Sequence, residues 1–134
     1  MVYILDASVA IKWFVQEKGQ DQALEIFKNV LEAPEKYAVP ELFYFELSHV
    51  FNRIIPSPNS DQLFLLDQVL KLAVHRFSMT RELYQEIRRF QHMGLSGYDA
   101  AYVALAKILK GLWLSFDKKA HHKIAHLKLS RLII

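Results

Sequence analysis

The sequence predicts an α/β fold: a central, mostly parallel sheet covered by helices on both faces. Three observations predict it. Short β-rich apolar runs alternate with longer stretches of helical periodicity along the chain. The 134 residues suit one domain, 1–134, with a core of its own. Hydrophobic residues make up 52% and charged residues 23%, which excludes an intrinsically disordered or low-complexity protein.

VYIL at 2–5 reads as the first strand, and ASVAIKWFV can begin a helix because Asp6 and Ser8 are both capable of capping it. QDQALEIFKNVLEA at 20–33 places Ala23, Ile26, Phe27, Val30 and Leu31 on one face of an amphipathic helix that ends before Pro34. YAV reads as a second strand. Pro40 suits the first turn of the next helix, ELFYFELSHVFNRII, which is apolar on nearly all sides and so is expected between neighbours or at a subunit contact. PSPNS at 56–60 breaks the pattern and DQLFLLDQVLKLAV resumes it, predicting a helical hairpin across 41–74. HRFSM is β-like; Thr80 can cap TRELYQEIRRFQHM, and Gly94 marks its stop. YDAAYVALAKILK is the strongest helix and ends at Gly111. LWLS, the helix KKAHHKIAHL and a terminal strand RLII complete the chain.

Composition narrows the function. The longest apolar stretches are interrupted by charge well before the roughly 20 residues that span a bilayer, so no membrane helix is expected. The first residues lack a basic, cleavable leader pattern, and a cytoplasmic location is expected. Zero cysteines exclude disulfides, thiolate zinc sites and a cysteine nucleophile, so any metal must use oxygen or imidazole ligands. The net charge of +3 is uneven: residues 107–131 carry seven Lys or Arg against one Asp, a surface that would favour a polyanion such as RNA or would simply be a solvated face.

Four carboxylates stand at informative junctions: Asp6 closing VYILD, Glu46 inside ELFYFELSHV, Asp99 in SGYDAAYVALA and Asp117 in LWLSFD. Asp6 and Asp117 each follow a strand, and in a parallel sheet those ends share one edge, where ligands bind. Each has a plain structural alternative. Asp6 and Asp117 can cap the helices that follow, Ser96 with Asp99 fits a capping box, and Glu46 can pair with Arg53 or reach solvent. Glu46, however, sits mid-helix among Phe43, Tyr44, Phe45, Leu47 and Val50, where an unpaired carboxylate is expensive to desolvate, so a cationic group should meet it. Gathered carboxylates repel and raise one another's pKa unless a cation neutralises them, and hard oxygen donors select magnesium or manganese. Such a site suits phosphodiester hydrolysis.

In order and spacing, LDASV, Pro40 followed six residues later by Glu46, YDAAYVALA, and a strand ending in Ser115, Phe116 and Asp117 resemble the PIN-domain ribonucleases, most closely the VapC-like toxins of toxin–antitoxin pairs. The resemblance runs over essentially the whole chain. It implies a PIN-like three-layer αβα sandwich, with Asp6, Glu46 and Asp99 as metal ligands for Mg2+ or Mn2+ and Asp117 completing the catalytic quartet. Ser8 and Ser115 would be supporting polar residues, Ser115 standing where the family often has threonine. It further implies an endoribonuclease toxin held by a cognate antitoxin, with a homodimer expected. Glu41 competes with Glu46 for the helix ligand; the spacing from Pro40 favours Glu46, and Glu41 is expected in the first helical turn.

Other residues carry plainer expectations. His121, His122 and His126 are expected at the surface or facing RNA, not as an extra zinc site. Lys12, Arg53, Lys118 and Lys119 could hold a phosphate backbone or be ordinary surface cations. Trp13, Phe14, Phe43, Phe45 and Phe51 are expected in the core or at a dimer interface. A phosphatase with a nucleophilic aspartate usually needs a second acid two residues after Asp6, where Ser8 stands, and a phosphoryl-receiver domain needs a mid-chain aspartate that YAVPELF does not offer. The competing non-enzymatic reading is a non-catalytic PIN-like protein-interaction module, which would bind its partner equally well with Asp99 changed and cleave nothing.

Overall fold

A computed structural model describes residues 1–54 and 60–134. Five strands, β1 (Tyr3–Leu5), β2 (Tyr37–Pro40), β3 (His75–Phe77), β4 (Leu112–Ser115) and β5 (Ser130–Leu132), form one sheet in the order β3-β2-β1-β4-β5, and each pairing is parallel. Seven helices are found among the described residues: α1 (Ala7–Ile11), α2 (Gln20–Glu32), α3 (Leu42–Ile54), α4 (Ser60–Leu70), α5 (Arg81–His92), α6 (Gly97–Leu109) and α7 (Lys118–Ile124). The chain runs outward from β1 to β2 and β3, then returns to lay β4 on the other side of β1. The strand order therefore reverses between β1 and β4, the place in such a sheet where a crevice opens beyond the carboxyl ends.

Register assigns the two faces. Tyr3 pairs with Tyr37 and Leu112, and Ile4 with Ala38 and Trp113. Neighbours in register project to the same side. Ile4, Ala38 and Trp113 face α6, where the Tyr102 ring stacks on Trp113 at 6.2 Å between centroids and 6° between planes. Tyr3 and Tyr37 face the other side, lining a cavity with Gln22, Ile26 and Asn29 of α2. The result is the three-layer sandwich the sequence predicts.

The α6 helix is the axis of the core. Residues Ala100 through Ala106 are all buried, a pattern apolar on every side that only a helix enclosed between other elements can satisfy. It packs on β1, β2 and β4 and carries α5 on its outer side. Four alanines in this run keep the layers close, while Tyr102, Val103 and Leu105 each contribute about 1.5–3 kcal/mol of apolar burial.

Helix ends follow local chemistry. The Thr80 hydroxyl accepts from the Leu83 N–H and caps α5 as expected. Gly94 adopts φ 98°, a left-handed conformation that glycine takes without strain, and the Leu95 N–H returns to the Phe90 carbonyl. At the end of α6 the left-handed residue is Lys110, not Gly111. Gly111 is required for another reason: a Cβ there would collide with the Val2 carbonyl oxygen, so a side chain would separate α6 from β1.

Some expectations need correction. Pro40 closes β2, paired with Phe77 of β3, and α3 starts two residues later. Proline has no N–H to offer a ladder, and the hydrogen bond to the Phe77 carbonyl comes from the Glu41 N–H. Glu41 is accordingly exposed and just outside α3, not in its first turn. ASVAIKWFV makes only five residues of α-helix before tightening into turns at Lys12, Trp13 and Phe14. Leu31 is exposed although the periodicity places it on the buried face. Helices α3 and α4 pack on each other as a hairpin would, while the predicted break at 56–60 lies, Ser60 apart, outside the described residues. Among the described residues no helix is long and apolar enough to cross a membrane.

Candidate active site

Asp6 is fixed by the strand-to-helix turn after β1. It is the N-cap of α1, with extended backbone, and its Oδ1 accepts from the Ser8 N–H at 3.0 Å. Its Oδ2 accepts from the Trp113 indole Nε1–H at 3.0 Å, inside the core. Only 8% of Asp6 is exposed. Burial raises its pKa most, with Glu46 and Asp99 adding to it, while the Ser8 and Trp113 hydrogen bonds oppose; the outcome is about 7.

Glu46 projects from the middle of α3, and its Oε1 accepts from the Tyr102 hydroxyl at 2.5 Å. A neutral hydroxyl on α6 thus meets this half-buried carboxylate. Burial pushes the Glu46 carboxyl up, the Tyr102 hydrogen bond pulls it down and Asp99 pushes it up again. Glu46 thus shares its electrostatic environment with Asp99, while Glu41 stands just outside α3.

Asp99 lies in the first turn of α6, whose N-cap Ser96 accepts from the Asp99 N–H at 3.1 Å. Its carboxyl is raised by partial burial first and then by Asp117, against the pull of Ser96 and Lys123. Asp117 is exposed; its Oδ1 accepts from the Ala120 N–H at 3.0 Å and caps α7. The fully buried Ser115 accepts from the Asp117 N–H at 3.0 Å, fixing the turn after β4. Asp6 and Asp117 both cap as the structural alternative has it, each with its Oδ1, which leaves further lone pairs free, while the Ser96 cap is made to the Asp99 backbone N–H.

The four acids come from four elements and share one electrostatic environment: Asp6 responds to Glu46 and Asp99, Glu46 to Asp99, and Asp99 to Asp117. Among the described residues, however, no three His, Cys, Asp or Glu side chains are gathered closely enough to hold a metal ion as they stand. The donor set fits a hard divalent cation in kind: all oxygen, partly desolvated, and mutually repelling in a way positive charge relieves. Of the four acids Asp117 lines a groove of about 410 Å³, together with Ser8, Lys12, Arg53 and Phe116. The Lys12 ammonium there is tied to Glu17 and the Lys18 carbonyl, both at 2.9 Å.

A family model of the PIN domain matches residues 3–127. The chain belongs to the PIN domain family. No curated protein matches it. Among solved structures, this PIN domain is similar to a toxin–antitoxin complex from Klebsiella pneumoniae, with TM-score 0.69 and 13% identity over 98% of each chain. It is also similar to FitAcB from Neisseria gonorrhoeae (TM-score 0.68, 11% identity, 92% of this chain and 94% of that one). VapBC2 from Rickettsia felis, bound to a DNA fragment from its promoter, gives TM-score 0.67 and 12% identity over 98% of each chain. At these identities the likeness is one of fold.

Sequence reasoning misses two residues that touch the acids of this PIN domain: Tyr102 and Trp113. A signal exists. Tyr102 is the one polar-tipped residue within the buried run Ala100–Ala106, and Trp113 pairs in register with Ile4, two residues before Asp6. The histidines stay outside the site. His122 and His126 are exposed, and His121 Nδ1 shares a 2.6 Å hydrogen bond with the Ser130 hydroxyl. Trp13, Phe43 and Phe51 join the core, whereas Phe45 is 73% exposed because it sits on the α3 face away from the sheet.

Proposed function

We propose that this PIN domain is a metal-dependent endoribonuclease, the toxin of a toxin–antitoxin pair. The observation that carries the reading is the PIN-domain match over residues 3–127, within which Asp6, Glu46, Asp99 and Asp117, from four elements, act on one another electrostatically. Asp6, Glu46 and Asp99 would hold Mg2+ or Mn2+, with Asp117 completing the set. When bound, such an ion supplies Lewis-acid charge against a phosphodiester and promotes ionisation of water.

The chain's own groups supply the rest. The Ser8 and Trp113 hydrogen bonds favour the ionised form of Asp6 against the effect of burial and fix its plane. Ser96 and Ser115 hold the turns that present Asp99 and Asp117. Arg53 along the groove, with exposed Lys118 and Lys119 beside Asp117, offers positive charge to a phosphate backbone. Lys12 serves the fold more than the substrate, since its charge is already paired.

An antitoxin partner is supported by the toxin–antitoxin complexes among the similar folds and by apolar surface on α3 and α4, where Phe45, Leu63 and Phe64 are 73%, 63% and 61% exposed. A homodimer is part of the same proposal, and a stable monomer in sedimentation would remove it. The function itself is tested by incubating the protein with a mixed RNA panel, including tRNA and rRNA fragments, in magnesium, manganese or chelator. Discrete cuts that need the cation are expected. Cleavage that proceeds equally in chelator would eliminate the metal-dependent mechanism.

A further inference from the structure

Two aromatic side chains each donate a hydrogen bond to one of these carboxylates. The Trp113 Nε1–H donates to Asp6 Oδ2 at 3.0 Å, and the Tyr102 hydroxyl donates to Glu46 Oε1. The Tyr102 oxygen in turn accepts from the Ala7 N–H, at 3.4 Å, in the residue that follows Asp6. The two rings stack almost in parallel, Trp113 being 0% and Tyr102 1% exposed. One rigid aromatic unit therefore spans β4 and α6 and holds polar groups of α3 and of the β1–α1 turn.

The donor chemistry has a direction. An indole N–H can only donate, so Asp6 Oδ2 is the acceptor of this bond. The Tyr102 hydroxyl has a single hydrogen, and with its lone pair turned to the Ala7 N–H that hydrogen is directed at Glu46. Both contacts favour the ionised carboxylate and leave lone pairs on each for a cation. Stacking removes the freedom of either ring to turn away, since a rotation of one would collide with the other in a close-packed core.

We propose that Tyr102 and Trp113 are positioning residues that fix the orientation of Glu46 and Asp6, by donated hydrogen bonds from one stacked aromatic pair, for binding of a divalent cation. The inference rests on the metal-site reading above. It extends that reading to two residues that never contact the cation and act through the carboxylates. Hydrogen-bond partners of metal ligands typically matter by about 10–100-fold in affinity.

The test is Mn2+ binding by calorimetry on wild type, Asp99→Asn, Tyr102→Phe and Trp113→Phe, each at a temperature where its circular dichroism is native. Tyr102→Phe keeps the stacked ring and removes only the hydroxyl. Wild type should bind, Asp99→Asn should lose binding, and Tyr102→Phe and Trp113→Phe should each weaken it about 10-fold or more. A second readout needs neither variant at Tyr102 nor turnover: Mg2+ should change the tryptophan emission of wild type, and the change should vanish in Trp113→Phe. If wild type binds no Mn2+, the metal-site reading fails and this inference falls with it. If wild type binds, Asp99→Asn does not, and the two aromatic variants bind like wild type with no Mg2+-dependent emission, positioning alone is overturned.

Discussion

Asp6 shows how a single residue couples stability to the site. Its pKa rises from 3.8 to about 7 on folding, so between these values the folded state binds more protons than the unfolded state. Stability of the cation-free protein therefore falls as pH climbs through that window, and the penalty is absent below about pH 4. Glu46 and Asp99 shift in the same direction and add to it. Thermal melts in chelator should show a higher Tm at pH 5 than at pH 7.5, with Mg2+ narrowing the gap; a Tm that rises with pH across this range would refute the account of these carboxylates. Substitution is informative only if the contacts are respected. Asp6→Asn turns an amide N–H toward one of two donors, Ser8 or Trp113, and so confounds charge with the loss of a hydrogen bond. Asp99→Asn leaves the Ser96 cap on its backbone N–H intact and removes the charge, and is the cleaner variant.

At the scale of elements, the caps and close approaches that place the acids carry testable energies. Gly111→Ala drives a Cβ into the Val2 carbonyl, where α6 hands the chain to β4, and is expected to cost about 1–3 kcal/mol, read as a shifted denaturation midpoint with an unchanged slope. Thr80→Ala, which removes the α5 cap far from the acids, should cost about 1 kcal/mol and leave cation binding unchanged. These elements are largely legible in the sequence because their signals are local. Thr80, Ser96 and Asp117 cap where their side chains can reach an N–H three residues on, and the alternation of YAV and LWLS with amphipathic stretches points to a parallel sheet. What misleads is equally local. Pro40 looks the same at the end of a strand as at the start of a helix until the partner strand supplies a carbonyl for Glu41. Tyr102 and Trp113 look like plain core residues because burial and polar contact are not separable by periodicity: 107 residues separate Trp113 from Asp6, and only the pairing of β1 with β4 brings them together.

On the scale of the whole molecule, topology gives acids scattered along the sequence a shared electrostatic setting. Parallel pairing of β1 and β4 places Asp6 and Asp117 at one edge, and the return of the chain through α6 brings Asp99 there with Lys123 near it. Lys118 and Lys119 follow Asp117 directly and Lys123 acts on Asp99, so positive charge that can attract a polyanion lies next to these acids. Changing Lys118 and Lys119 together to Gln should weaken binding of single-stranded RNA and lower the salt slope by about 0.7 for each phosphate no longer neutralised; an unaltered slope would mean these lysines are only solvated. The grouping of the acids is legible as order and spacing of motifs. Their present separation is not, since side-chain positions depend on hydrogen bonds between distant elements.

The central claim, that these carboxylates form a catalytic centre held together against its own repulsion, is tested most directly by Asp99→Asn with two readouts on one preparation. RNA cleavage in Mg2+ or Mn2+ is measured beside the melting temperature in chelator. The account predicts opposite signs: cleavage abolished, and stability equal to or above wild type because one repelling, half-buried charge is gone. Full cation-dependent cleavage by Asp99→Asn would contradict it.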